Sequence, residues 1–431
     1  MRKRVTSSLG RVHLARPREA TAGASLPAAS LAAHILLRRS SCRSVATATG
    51  SAQAAGSGNH GKMNLSGAPF PRDPARKDYM QRYRQDLARL SARLLEEAGA
   101  AAGARWVDSH CHLESILCRT WGGGGTAAVR ESEQLLTLQD LVSLWPAGME
   151  FCICNAVFRK PYKLPLRQGR AEAARSGGAA SCLSEWGWLR ANLNHFHEGS
   201  RLASRLKFTV GIHPHEAVHP QGWDEEAALF VRELAAHPLC VGIGECGMDL
   251  LRHKPRLADR QLDAFRAQLR LAVELGKPVV VHSRSAARPD GAAPAYATAS
   301  GADPVEAACM SALTEELPRS HAVHMHCYSG SLEHAQRLCD HFPRLRLGFT
   351  GALTFGGKRG AQLAALVTSL PLERLLLETD GPYMCPEPFR GQTAHPGHVH
   401  LVAEQIADIK GETLSKVLAA TRESTRAVYG I

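Results

Sequence analysis

No apolar stretch in this chain of 431 residues approaches the roughly 20 residues a helix needs to cross a bilayer, so no membrane-spanning helix is expected. Acidic residues are almost missing from the leader: ten lysines and arginines through Lys62 face Glu19 alone, a net of +9. Because the whole chain carries +12, only about +3 is left for the remainder, and bulk charge gives no argument for a polyanionic partner. The twelve cysteines are too sparse for a disulfide scaffold at this length. Reduced thiols in an intracellular compartment are expected instead. Cys152 and Cys154 alternate within the apolar run Phe151 to Val157 and read as small core residues, not a zinc knuckle.

The Arg-, Ser- and Ala-rich leader, with an apolar patch from Leu31 to Leu37 before Arg38 and Arg39, has the composition of a mitochondrial transit peptide. An untargeted disordered tail has the same composition. Localisation is therefore left open between mitochondrion, cytoplasm and nucleus. Three regions are expected: a disordered basic leader over 1–77, an amphipathic helix and linker over 78–104, and a catalytic domain over 105–431. The helix is signalled by Met80, Tyr83, Leu87, Leu90 and Leu94, spaced by three and four.

From Arg105 onward short apolar runs alternate with amphipathic segments, the pattern of βα units around a parallel sheet. Eight strands are predicted near 106–110, 150–156, 207–212, 240–244, 278–282, 322–326, 345–349 and 374–379. That count matches an α/β fold of the (β/α)8 TIM-barrel type. Asp224 and Asp259 are read as caps of the helices through Leu234 and Leu275, with Pro396 and Thr413 opening the last two. Loops over 122–125, 160–199 and 285–303 follow strand ends and should overhang the barrel mouth. Trp186, Trp188, His195 and His197 in the second are read as loop packing rather than base-stacking groups.

Six motifs carry the chemistry, and each sets a metal-type ligand at or beside a strand end. They are Asp108-Ser-His-Cys-His112, Gly211-Ile-His-Pro-His215, Gly242-Ile-Gly-Glu-Cys-Gly-Met-Asp249, Val279-Val-Val-His-Ser-Arg284, His324-Met-His-Cys-Tyr-Ser-Gly330 and Leu377-Glu-Thr-Asp-Gly-Pro-Tyr383. Strand side chains alternate faces, so His110 and His112 point together into the lumen as a chelating pair. Glu245, His282, His326 and Asp380 complete six ligands, more than one tetrahedral ion requires. Two divalent ions sharing Glu245 as a bridge use them economically, with His110, His112 and Asp380 on one side and His282 and His326 on the other. Imidazole-rich ligands suit Zn²⁺ or Mn²⁺.

This ordered set resembles the TatD family of metal-dependent deoxyribonucleases, within the amidohydrolase-like metal-dependent hydrolase superfamily of barrels, from about Arg105 to the C-terminus. The resemblance implies a metal centre at His110, His112, Glu245, His282, His326 and Asp380, Mg²⁺-supported activity, and hydrolysis of phosphodiester bonds in DNA. Ala394-His-Pro-Gly-His398, His324 to Gly330 and Gly348-Phe-Thr350 are more similar to the vertebrate TatD domain-containing protein 2 branch, which implies a ribonuclease alternative on structured RNA. Asp380 is expected to act as general base. His213 and Arg284 are expected to contact the scissile phosphate, with orientation of a ligand as the equal alternative for His213. Asp249 is expected to fix a ligand histidine, and Glu378 to support the site. A related barrel hydrolase on a non-nucleic substrate is disfavoured because Glu245, not a carbamylated lysine, stands at the fourth-strand ligand position. A non-catalytic, metal-stabilised binding protein is disfavoured because no ligand is missing. A monomer is expected.

Overall fold

The computed structural model describes residues 105–120, 142, 145, 146, 148–158, 186, 189, 204–219, 222–251, 257–285 and 303–431. The leader, the helix expected over 78–104 and most of the three mouth loops lie outside the described residues, as do Trp188, His195 and His197. Eight strands form one sheet in chain order, every neighbouring pair parallel. They are β1 (Trp106–Cys111), β2 (Met149–Ala156), β3 (Leu206–Val210), β4 (Cys240–Asp249), β5 (Val279–Arg284), β6 (Val323–His326), β7 (Leu345–Phe349) and β8 (Leu375–Leu377). The ring closes where the segment after β8 meets β1: Asp380 N donates to His110 O at 3.0 Å and His112 N to Gly381 O at 2.8 Å. The Asp108 carboxylate clasps the same seam, accepting from Thr379 N at 3.0 Å and Thr379 Oγ1 at 2.5 Å.

Helices pack outside the strands, each started by a local signal. Asp224 caps α1 (Glu225–Ala235) by accepting from Ala227 N at 2.8 Å. Asp303 caps α3 (Pro304–Glu316), where Pro304 lacks the N–H that would otherwise need a partner. Between them α2 (Ala258–Glu274) corrects an expectation: its N-cap is Leu257, which makes no side-chain cap bond. Asp259 instead lies inside the first turn, where its charge faces the positive end of the helix dipole. Then come α4 (Leu332–His341), capped by Ser331, and α5 (Gly357–Ser369). A 3₁₀ turn, Pro396–His398, leads into α6 (Val399–Lys410), and Thr413 caps α7 (Leu414–Tyr429).

The core follows this layering. Phe208, Phe265, Leu269, Val281, Leu313, Leu347 and Val402 belong to one buried cluster between strands and helices. A second cluster gathers Val107, Phe151, Ile153, Val241, Val280 and Ala322 with Val428 and Tyr429 at the end of α7. Cys152 and Cys154 are buried in the first, as expected, and among the described residues the cysteines form no disulfide. Trp186 also packs as expected: its indole N–H points at Ala156 O and Gly211 O, and its ring stacks on Phe230 at 4.5 Å.

Two strand boundaries change how the ligands are presented. β4 stays paired with β5 as far as Asp249, across an irregularity between Gly244 and Cys246, so Glu245 and His282 sit within strands and not at their ends. β8 stops at Leu377, so Asp380 is placed by a turn, with φ of +51°, and not by strand alternation. That backbone region is uncommon for a residue with a Cβ, although Asp adopts it more readily than most.

Candidate metal centre

Four of the sequence-predicted ligands, His110, His112, His282 and His326, converge on a fifth, Glu245, which is 1% exposed. Its two oxygens face different partners. Oε2 lies 3.3 Å from His110 Nε2 and 3.5 Å from His112 Nε2. Oε1 faces His282 Nδ1 in a short hydrogen bond, with His213 Nε2 at 3.5 Å and His326 Nε2 at 3.6 Å. Asp380 Oδ1 sits 3.7 to 3.9 Å from the Nε2 atoms of His326, His112 and His110, so it belongs to neither half alone. The rings are closely stacked: His110 and His326, from β1 and β6, have centroids 3.5 Å apart. His112, His213, His282 and Asp380 keep 5 to 8% exposure whereas His110, Glu245 and Glu378 are nearly sealed, which orders the site from mouth to floor.

The partners behind each ring decide which nitrogen is free. His112 Nδ1 lies 3.0 Å from Asn155 O, which must receive an N–H, and so Nε2 keeps its lone pair toward Glu245. His326 Nδ1 lies 3.3 Å from Glu378 Oε1 with the same consequence. Burial pushes His326 down to about 4, so at neutral pH the ring is a lone-pair donor. His282 is different, because both nitrogens meet carboxylates, Glu245 and Asp249. Burial is the largest influence and opposes its charge, but Glu245 and Asp249 together hold His282 above its ordinary value. Burial also opposes the charge on Glu245, yet the imidazoles around it hold the carboxyl well below the usual range.

His213 and Cys327 fall inside geometric groups that could hold an ion, but their chemistry argues against both. His213 Nδ1 accepts the His215 N–H at 3.0 Å, so a neutral ring carries its hydrogen on Nε2, and burial holds it well below its ordinary value. Its Nε2 therefore donates. Burial pushes the Cys327 thiol up to about 11, leaving it protonated and a poor ligand. Arg284 donates Nη1–H to Ser283 O at 2.9 Å; burial opposes its charge, and the nearby carboxylates of Asp380, Glu245 and Asp249 support it.

Residues quoted only as motif members, His215, His324 and Gly348, pack against the carboxylates of Asp249 and Glu378. Asp249 Oδ2 accepts from His215 Nε2 at 2.7 Å as well as facing His282 at 3.3 Å. Glu378 accepts Cys327 N at 2.7 Å and sits 2.5 Å from His324 Nε2. It fits only because position 348 is glycine: a Cβ there would lie 2.2 Å from its carboxylate. Burial opposes its charge too, but His326 and His324 keep it well below the carboxylate range.

The residues fit a divalent cation. Glu245 Oε2 is buried without an aligned hydrogen bond, although two imidazole nitrogens stand within 3.5 Å. A buried charge left in that state is costly unless an ion completes it.

A family model described as TatD related DNase matches residues 107–430. The chain is 34% identical over 223 residues to an uncharacterized metal-dependent hydrolase of Bacillus subtilis, covering 52% of this chain and 76% of that protein. It is 31% identical over 247 residues to the 3'-5' ssDNA/RNA exonuclease TatD of Escherichia coli, covering 56% and 85%. It is 31% identical over 224 residues to the human 3'-5' RNA nuclease TATDN2, covering 51% of this chain and 26% of that one. In fold it is similar to a TatD homologue from Escherichia coli, with a TM-score of 0.51 and 21% identity over 76% of this chain and 99% of the other. A TatD-family hydrolase from Entamoeba histolytica gives 0.53 and 16%, over 76% and 98%.

Proposed function

Since the chain belongs to the TatD-related DNase family, we propose that it is a divalent-metal-dependent nuclease hydrolysing phosphodiester bonds in nucleic acid. The observation that carries this reading is the buried Glu245 carboxylate, whose two oxygens face separate sets of histidine nitrogens. In this proposal His110, His112 and Glu245 hold one ion and His282, His326 and Glu245 the other, with Asp380 within reach of both. Bound there, two divalent ions supply a lowered pKa for a water molecule and stabilise charge on the attacking and leaving oxygens of a phosphoryl transfer.

The protein's own groups do the rest. Asp380, held toward the mouth by its turn, accepts a proton as general base. His213 presents an N–H, and the Arg284 guanidinium presents a fixed fork of donors; both suit the non-bridging oxygens of a phosphate. Asp249 and Glu378 keep His282 and His326 oriented. DNA is the leading substrate on the family description, and RNA is the second reading because the relatives named above act on ssDNA and RNA or on RNA. Mg²⁺ or Mn²⁺ is proposed as the working metal, with Zn²⁺ the alternative that the imidazole-rich ligand set admits.

The test is cleavage of end-labelled single-stranded DNA and structured RNA, side by side at fixed salt. EDTA should abolish cleavage and added Mg²⁺ or Mn²⁺ should restore it. Persistence after complete metal removal would contradict the proposal.

A further inference from the structure

A column of polar groups runs from the end of the last helix to a ring facing the metal centre. The Tyr429 hydroxyl lies 2.6 Å from His324 Nδ1, and His324 Nε2 lies 2.5 Å from Glu378 Oε1. That same oxygen is 3.3 Å from His326 Nδ1, and His326 Nε2 then faces Glu245 and Asp380. None of the four residues is more than 5% exposed. Tyr429 itself sits in the apolar cluster at the lower strand ends.

The protons can be placed. A ring nitrogen 2.5 Å from a carboxylate oxygen needs a hydrogen on it, although the His324 N–H is not aligned well enough to count as a hydrogen bond. With Nε2–H committed to Glu378, the Nδ1 lone pair is left to accept the Tyr429 O–H. Burial holds that hydroxyl well above its ordinary range, so it stays a donor. Glu378 receives hydrogens from both sides, and His326 is left with Nδ1–H behind and a lone pair in front.

We propose that Tyr429 is a positioning residue for the metal centre, fixing His324 so that Glu378 holds His326 with Nε2 toward the ions. The inference rests on His326 being a ligand, as proposed above.

The test is calorimetric titration of Mn²⁺ into the EDTA-stripped full chain. Glu378→Gln should weaken binding by about 10–100-fold, the usual effect of removing a partner behind a ligand. Tyr429→Phe keeps the packed ring and should weaken binding by roughly 3–10-fold, one link further back. In the Glu378→Gln background the same change should do almost nothing, because the column is already cut. His324→Asn cuts the next link and should weaken binding at least as much as Tyr429→Phe. Affinity within about twofold of wild type for Tyr429→Phe, or losses that simply add in the Tyr429–Glu378 double variant, would overturn the positioning role of Tyr429. His326→Ala separates the two ideas. If it binds Mn²⁺ like wild type, the ligand reading falls and the column with it; if it binds poorly while Tyr429→Phe is unaffected, only the positioning role falls.

Discussion

At their lower ends β1, β2, β4 and β5 contribute Val107, Phe151, Val241 and Val280 to an apolar cluster that receives the end of α7. Higher up, β1, β4, β5 and β6 carry His110, Glu245, His282 and His326, which are just as buried but bring polar atoms together: Glu245 lies 3.3 Å from His110 and 3.6 Å from His326, and it shares a short hydrogen bond with His282. Apolar burial stabilises the fold without further partners, whereas a buried carboxylate among imidazoles needs a counter-ion to be stable. The difference assigns stability to the lower end and chemistry to the mouth, with the column through Tyr429 and His324 joining them.

Changes at the two ends should therefore separate. Asp380→Ala should lower kcat by about 10²–10⁴-fold, the range for losing a general base, with little change in thermal unfolding; a normal rate would remove Asp380 from the chemistry. Phe151→Ala should show the reverse, costing about 3–5 kcal/mol in denaturant unfolding while folded molecules keep their specific activity. If the two variants behaved alike, the division of labour between the ends would be wrong.

A buried histidine of the outer layer gives a pH test. Burial pushes His334, on α4, down to about 4. The folded value lies below the unfolded one, near 6.5, so between those limits the unfolded chain binds the extra proton. Its contribution is complete above about pH 6.5 and is lost as pH falls toward 4, by up to roughly 3 kcal/mol. His334→Phe should flatten that part of the stability profile, and an unchanged slope would contradict the assignment. Asp249→Asn should weaken metal binding by about 10–100-fold, seen in the same titration used for Tyr429, and unchanged affinity would remove Asp249 from the support of His282.

Much of this plan was legible in the sequence because it rests on local signals. Apolar runs ending in polar residues located the strands, and the two-residue spacing of His110 and His112 gave their shared face. What escaped was set by distant partners. The Asp108 clasp joins residues 271 positions apart, and Tyr429 meets His324 across 105. The extent of β4 depends on its pairing with β5, and Asp259 lost the cap because the helix starts one residue before it. For His213, the His215 N–H at Nδ1 assigns a donor nitrogen, which spacing alone could not.

The central claim is that Glu245 is shared between two ions, and metal stoichiometry tests it most directly. After EDTA stripping and reloading with Mn²⁺, the full chain should bind two ions, and Glu245→Gln should lose tight binding of both. A single ion in the wild type, or two retained in Glu245→Gln, would contradict the account.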